Sequence, residues 1–358
     1  AAEDVARILT EETTLDALPY SADELDTFAE DEMKAAPQDP DIRPDQPMTD
    51  QRAALEPAMA LRQARRFHRI WQILTEAKRH GRDRSERLTL VRDAEGVQRI
   101  RIFGRAALQA DAPVLLLDAD ADPVILDALV PGAEIHTLSL RPNAHVVQVA
   151  DRRMSHGTLL QSPRMRGDWV AVIRAEVLRD RAGPGGGVLV GATRKVVRRF
   201  FEDAGHDFAD MSDAEISDLM LRTPLHGAQW TWFGGRSLGE NRYRDCTAVV
   251  AIGREGLPLD ALEDQARALF GDTPGVDLGF VPADPDGRRQ IPEGVAAYTM
   301  ADGSARGAHV RIHPDPRIAA LQRQTRECAT RQLVERLRLA HAATPKRVIL
   351  GSSVPIPG

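Results

Sequence analysis

The sequence predicts an α/β protein: a mostly parallel sheet with helices on both faces, preceded by a helical, acidic N-terminal region. Three observations carry that expectation. Short, continuous apolar runs of buried-strand type, Val114–Leu117, Val188–Val190 and Ala248–Ile252, alternate with segments of helical spacing. The last long helical stretch, Asp315–Ala342, leads straight into another apolar run, Arg347–Leu350. A chain of 358 residues is also long enough for two domains and a sizeable core.

Residues 1–50 hold 15 Asp and Glu against 3 Lys and Arg, and end in Pro37, Pro40, Pro44 and Pro47. Helical spacing occurs around Ala6–Leu9 and Leu25–Phe28, but so acidic and proline-rich a segment is expected to be loosely packed. Residues 51–80 predict a helix. Leu55, Met59, Phe67, Ile70, Trp71 and Leu74 recur at helical spacing, Gly81 is a natural stop, and Arg62, Arg65, Arg66 and Arg69 occupy its other faces. Leu88–Arg92 and Val97–Phe103 alternate about a polar turn and predict a hairpin.

From Val114 the pattern becomes strand and helix in alternation. Val114–Leu117 reads as a buried strand, Pro123–Leu129 as a short helix, and Ala133–Leu138 and Ala144–Val149 as strands. Trp169–Leu178 is a helix, Val188–Val190 a strand, and Thr193–Phe201 the helix that follows it. Gln229–Phe233 and Ala248–Ile252 are strands on either side of a Gly-rich loop, and Leu259–Phe270 is a helix. Residues 271–296 are rich in Gly, Pro and Asp and read as loop.

Composition narrows the function classes. The longest apolar runs are far too short to span a membrane, and no secretory signal is expected. Cys246 and Cys328 are too few for a metal cluster of their own and fit reduced thiols in a cytoplasmic protein. The net charge of −6 divides unevenly, with −12 on residues 1–50 and +6 on the rest. That mild basic excess is compatible with a nucleic-acid partner, but aromatics at 4% leave few side chains for stacking on bases.

Four stretches carry candidate chemistry. In residues 114–123 a strand ends in Asp118, Asp120 and Asp122, at the carboxyl edge of a sheet, where open α/β sheets bind ligands. Alternating carboxylates there suit Mg²⁺, and Asp122 before Pro123 equally suits a helix cap. In residues 187–195 a strand turns into a helix at Thr193, Arg194 and Lys195, where backbone N–H groups can bind a nucleic-acid phosphate or a threonine can simply cap. Residues 232–254 place Gly234, Gly235, Arg236, Gly239, Asn241 and Arg242 in a loop between two strands, where glycines let a ligand approach the backbone closely. Finally, Gln332 and Arg336 lie one turn apart on one helix face, while Arg338 falls roughly 120° away on a regular helix, so Arg336 is the better candidate and Arg338 counts only on an irregular helix or as a nucleic-acid contact. No Gly-x-x-x-x-Gly-Lys-Ser/Thr phosphate loop occurs anywhere in the chain.

Taken in order, these stretches resemble the third signature, the opening of the second motor domain, the fifth and the last signature of superfamily 2 helicases. They are similar in particular to the helicase-like proteins of phage and plasmid replication. The resemblance covers roughly residues 110–355 and departs from the family where Asp120 replaces a threonine. It implies RecA-like folds: the tail of a first motor domain over 51–140 and a complete second one over 141–358. It further implies that ATP and Mg²⁺ are held by an N-terminal P-loop domain of the same protein, on a segment before Ala1. The intact protein is then expected to translocate on, or unwind, single-stranded or forked DNA during replication, while this chain alone is inactive as an ATPase. By the same resemblance Arg336, Gln332 and Arg338 serve catalysis, and Gly239, Asn241 and Arg236 face the nucleotide. Thr193, Arg194, Lys195 and Arg242 face nucleic acid, and Asp118 and Asp120 couple the two. Two other readings stay open: a toprim-like Mg²⁺-dependent nuclease or primase module using the three aspartates, and a degenerate, non-catalytic motor domain kept as a binding scaffold.

Overall fold

The computed structural model describes residues 5, 15–40, 42–92, 95–96, 98–105, 112–138, 140–152, 154–234, 241–271, 273, 277–300 and 302–356. The expectations for Ala6–Leu9, Val97, Gly235, Arg236 and Gly239 lie outside the described residues. The chain divides into two units, Ala1–Asp111 with Glu263–Gly279, and Ala112–Leu262 with Phe280–Gly358.

The first unit is built on two helices, α1 (Ala22–Lys34) and α2 (Met48–Arg79), beside a hairpin, β1 (Leu88–Arg92) and β2 (Gln98–Ile102). Helix α1 starts at a capping box: Ser21 Oγ accepts the Glu24 N–H at 3.2 Å, and Glu24 Oε2 accepts the Ser21 N–H at 2.7 Å. Leu25 and Ala29 are buried against Ile70, Trp71, Ile73 and Leu74 of α2, with Phe28 edge-on to Trp71 at 5.5 Å. Leu15 and Leu18 join the same core, so residues 15–34 pack more closely than their acidic composition suggests. Helix α2 stops at Gly81, whose φ of +63° is open to glycine without strain.

The second unit is a five-stranded, all-parallel sheet flanked by helices. Its strands are β3 (Ala144–Gln148), β4 (Val188–Ala192), β5 (Gln229–Trp232), β6 (Ala248–Ile252) and β9 (Lys346–Gly351), in the order β3-β9-β6-β4-β5. Side-chain alternation sorts the two faces. Val188, Val190, Val250 and Ile349 meet helices α5 (Pro163–Arg181), α6 (Arg194–Asp203) and α7 (Asp213–Arg222) through Trp169, Ile173, Phe200, Phe201 and Met220. Leu189, Val249, Val348 and Leu350 meet Leu333 and Val334 of α9 (Pro316–Val334) on the other side. Gly191 and Gly351 permit this packing: a Cβ would come within 2.3 Å of Leu333 Cδ2 at the first and of Trp169 Cζ2 at the second.

Several elements differ from expectation. Val114–Leu117 is no strand; it is irregular, with Leu115 82% and Leu117 88% exposed. Ala133–Leu138 is irregular too. An apolar run forms a buried strand only where a neighbouring strand and a covering layer receive it. Helices α4 (His156–Gln161) and α7, and a hairpin of β7 (Glu293–Thr299) and β8 (Ala305–Arg311), have no counterpart in the sequence reading. Two helices agree well with it: α3 (Pro123–Leu129), capped by Asp122, and α8 (Leu259–Phe270). No helix among the described residues is long and apolar enough to cross a membrane.

Candidate functional site

Because the five strands run the same way, the segments between them gather at two opposite edges of the sheet. Of the residues singled out from sequence, Thr193, Arg194 and Lys195 follow a strand at one edge, and Asn241 and Arg338 meet at the other.

At the carboxyl edge β4 ends at Ala192 and α6 begins at Arg194. Thr193 is the N-cap residue, in extended backbone, but its hydroxyl makes no cap bond; it lies 2.8 Å from Nδ1 of His156. The first N–H groups of α6 are therefore left without a side-chain cap. Burial, reinforced by the charge of Lys195, lowers the pKa of His156 and favours its neutral form. His156 opens a six-residue helix and has no periodic or motif signal in the sequence. Lys195 is exposed beside it. Arg194 is committed elsewhere: it donates to the Asp213 carbonyl (2.9 Å), Asp213 Oδ1 (3.2 Å) and Ser217 Oγ (3.0 Å), tying α6 to α7.

At the amino edge, Arg338 Nη2 donates to Asn241 Oδ1 at 2.7 Å. The expected helix over Asp315–Ala342 ends at Val334 and continues as 3-10 turns, Glu335–Leu337 and Leu339–His341, on either side of Arg338. Arg338 itself is left-handed, with φ 54° and ψ 52°. For a residue with a Cβ that conformation costs about 1 kcal/mol or more and persists only where the surroundings hold it. The 3-10 turns break the regular helix on which Arg336 would share a face with Gln332 and Arg338 would not. Arg336 sits half-buried in the 3-10 turn, and Gln332 half-buried on α9.

Asn241 and Arg338 line a groove of about 380 Å³ together with Arg244, Asp245, His341 and Lys346. Lys346 Nζ is anchored by the carbonyls of Leu337 (2.9 Å) and Arg244, and burial lowers its pKa. Three cationic side chains and a histidine against one carboxylate make the groove suited to an anion, and its volume lies in the range of small-ligand pockets. Arg242 lies over the ring of Tyr243, 4.6 Å from its centroid, and donates to its hydroxyl.

The aspartates of residues 118–122 turn to separate partners. Asp118 Oδ1 accepts the Asp120 N–H at 2.8 Å. Asp122 caps α3 through the Val124 N–H (3.0 Å) and pairs with Arg323 at 2.7 Å. The Asp120 side chain is 1% exposed, with Arg331 Nη1 3.4 Å from Oδ1 but no hydrogen-bond partner on either oxygen. Burial pushes its pKa up, and Arg331, Gln332 and Cys328 only partly oppose that. Arg323 and Arg331 both belong to α9, so residues 118–122 lie along the helix that leads to Arg336 and Arg338. Among the described residues no group of three or more His, Cys, Asp or Glu is placed to hold a metal ion.

Comparison of the chain with family models, with curated proteins and with solved structures finds no significant match.

Proposed function

We propose that this chain supplies the second, RecA-like motor domain of a superfamily 2-type helicase or translocase that is driven by NTP and acts on nucleic acid, most simply DNA. The observation that carries the reading is the hydrogen bond between Arg338 and Asn241. Two stretches 97 residues apart, each selected from sequence for the same reaction, meet in one basic groove.

In this reading the NTP and its Mg²⁺ are held by a phosphate loop and acidic pair outside this chain, and the amino-edge groove closes over the NTP. Arg338 then presents a guanidinium to the γ-phosphate, where negative charge has to be stabilised as the bond to the leaving group breaks. Asn241 holds that guanidinium in place before closure, and the left-handed turn keeps it from swinging back along the helix. At the opposite edge the uncapped start of α6 and Lys195 offer N–H groups and a charge to a nucleic-acid phosphate. Strands β4, β6 and β9 join the two edges as one rigid layer. Among the described residues no group of three or more His, Cys, Asp or Glu could hold the Mg²⁺, so in this reading its ligands lie elsewhere. The three aspartates point to different partners, which leaves the nuclease or primase reading without support.

The test is ATP turnover with Mg²⁺ and single-stranded DNA. The purified chain alone is expected to give none. Mixed with a P-loop domain of its parent protein, it should give DNA-stimulated turnover that Arg338→Ala abolishes. Turnover by the chain alone, or turnover in the mixture that is indifferent to Arg338, would overturn the proposal.

A further inference from the structure

Helix α2 of the first unit carries a charge pattern that neither its packing nor the proposed motor uses. Residues 51–75 contain five arginines, no lysine and a single acid, Glu56. At about 100° per residue, Met48, Arg52, Leu55, Met59, Arg62 and Arg66 share one stripe of the helix. All six are exposed, with Met48 at 64%, Leu55 at 53% and Met59 at 70%. Arg62, Arg65, Arg66 and Arg69 stand three or four residues apart, so like charges face one another over about two turns, a mildly destabilising arrangement. Arg65 is relieved by Asp39 at 3.0 Å, and Arg69 donates to Gln72 at 3.2 Å. Arg52, Arg62 and Arg66 have no ion pair or hydrogen bond among the described residues.

We propose that this stripe is a second nucleic-acid contact, taken by the sugar–phosphate backbone and separate from the sheet edges of the second unit. Charge complementarity calls for a polyanion. The exclusive use of arginine fits phosphate, whose oxygens the planar guanidinium can grip in pairs. From Arg52 to Arg66 the stripe runs about 21 Å along the helix, long enough to follow several nucleotides. An anionic membrane is the weaker occupant. Surface-bound helices insert a broad apolar face, and here Leu61, Ala64, Ile70, Trp71, Ile73 and Leu74 are already buried within the unit. Contacts of this kind read charge and not sequence, so the binding is sequence-independent and sensitive to salt. The proposal rests on the first unit alone and stands if the groove at Arg338 has another role.

The experiment is anisotropy of labelled single-stranded and duplex oligonucleotides with the full chain, from 50 to 200 mM salt. In R52Q/R62Q/R66Q the slope of log K against log salt should become shallower by about 2, and affinity near 100 mM should fall at least about tenfold. R52K/R62K/R66K should keep the slope while binding somewhat more weakly, because charge remains and the fork is lost. R222Q, at an exposed arginine of the second unit, should change nothing. Should the triple Gln variant fold poorly, the single change R62Q, expected to reduce the slope by about 0.7–0.9, decides the matter. Slope and affinity unchanged by the Gln variants would overturn the proposal. So would binding to phosphatidylserine vesicles that needs these arginines while oligonucleotide binding does not.

Discussion

Asp120 holds a carboxylate out of water with neither oxygen hydrogen-bonded, and Arg331 at 3.4 Å offsets only part of that burden. Burial is the largest influence and Asp118 adds to it, while Arg331, Gln332 and Cys328 favour the carboxylate without reversing the balance. Its folded pKa lies above the ordinary aspartate value, so the folded state binds the proton more tightly than the unfolded chain does. Stability is therefore lost as pH rises from the ordinary aspartate value through the raised folded value. Asp120→Asn removes that loss. Urea unfolding at pH 7.5 should show the variant more stable than the wild type by roughly 1 kcal/mol, with the gap narrowing as pH falls towards the ordinary aspartate range. A variant less stable than the wild type at pH 7.5 would mean that the Arg331 pair outweighs the desolvation.

At the scale of elements, the segment after β4 separates binding from support. Arg194 joins α6 to α7 through three hydrogen bonds, whereas Lys195 is exposed at the edge. Arg194→Ala should lower the melting temperature by an amount corresponding to about 1 kcal/mol and weaken oligonucleotide binding little beyond that. Lys195→Ala should do the reverse, reducing the salt slope by about 0.7 on single strands with the melting temperature unchanged. Equal binding losses from the two changes would show that Arg194 reaches the ligand. This division was not legible in the sequence, because both residues belong to the same Thr-Arg-Lys turn and only α7 decides which of them is used. Other elements were legible where breakers flank a strong pattern. Ala248–Ile252 is an unbroken apolar run ending at Gly253, and it is a strand over those residues. The end of α9 was hidden because residues 335–342 contain no Gly or Pro, and the break is made by Arg338 in a conformation that glycine usually takes. The β7–β8 hairpin was hidden because its strands are rich in Ala and Gly, whose alternation is faint.

For the whole molecule, the parallel sheet was legible because its strands are continuous apolar runs separated by helices of clear period. The place of Val114–Leu117 was not, because an apolar run does not say which sheet will receive it. The functional account treats the second unit as half of an active site, with one basic groove aimed at a nucleotide that another domain holds. Arg338 and Asn241 are then a single device: the arginine supplies charge in the transition state, and the asparagine orients it. The most direct measurement is a double-mutant cycle on the ATP turnover number of the complete protein proposed above, using Asn241→Ala, Arg338→Ala and the pair, with Arg336→Ala alongside. The account predicts that Arg338→Ala lowers kcat by about 10³-fold with little change in KM, that the double variant is scarcely worse, and that Arg336→Ala is milder. Small, additive effects at Asn241 and Arg338, equal to that at Arg336, would contradict it and reduce the groove to a solvated basic surface.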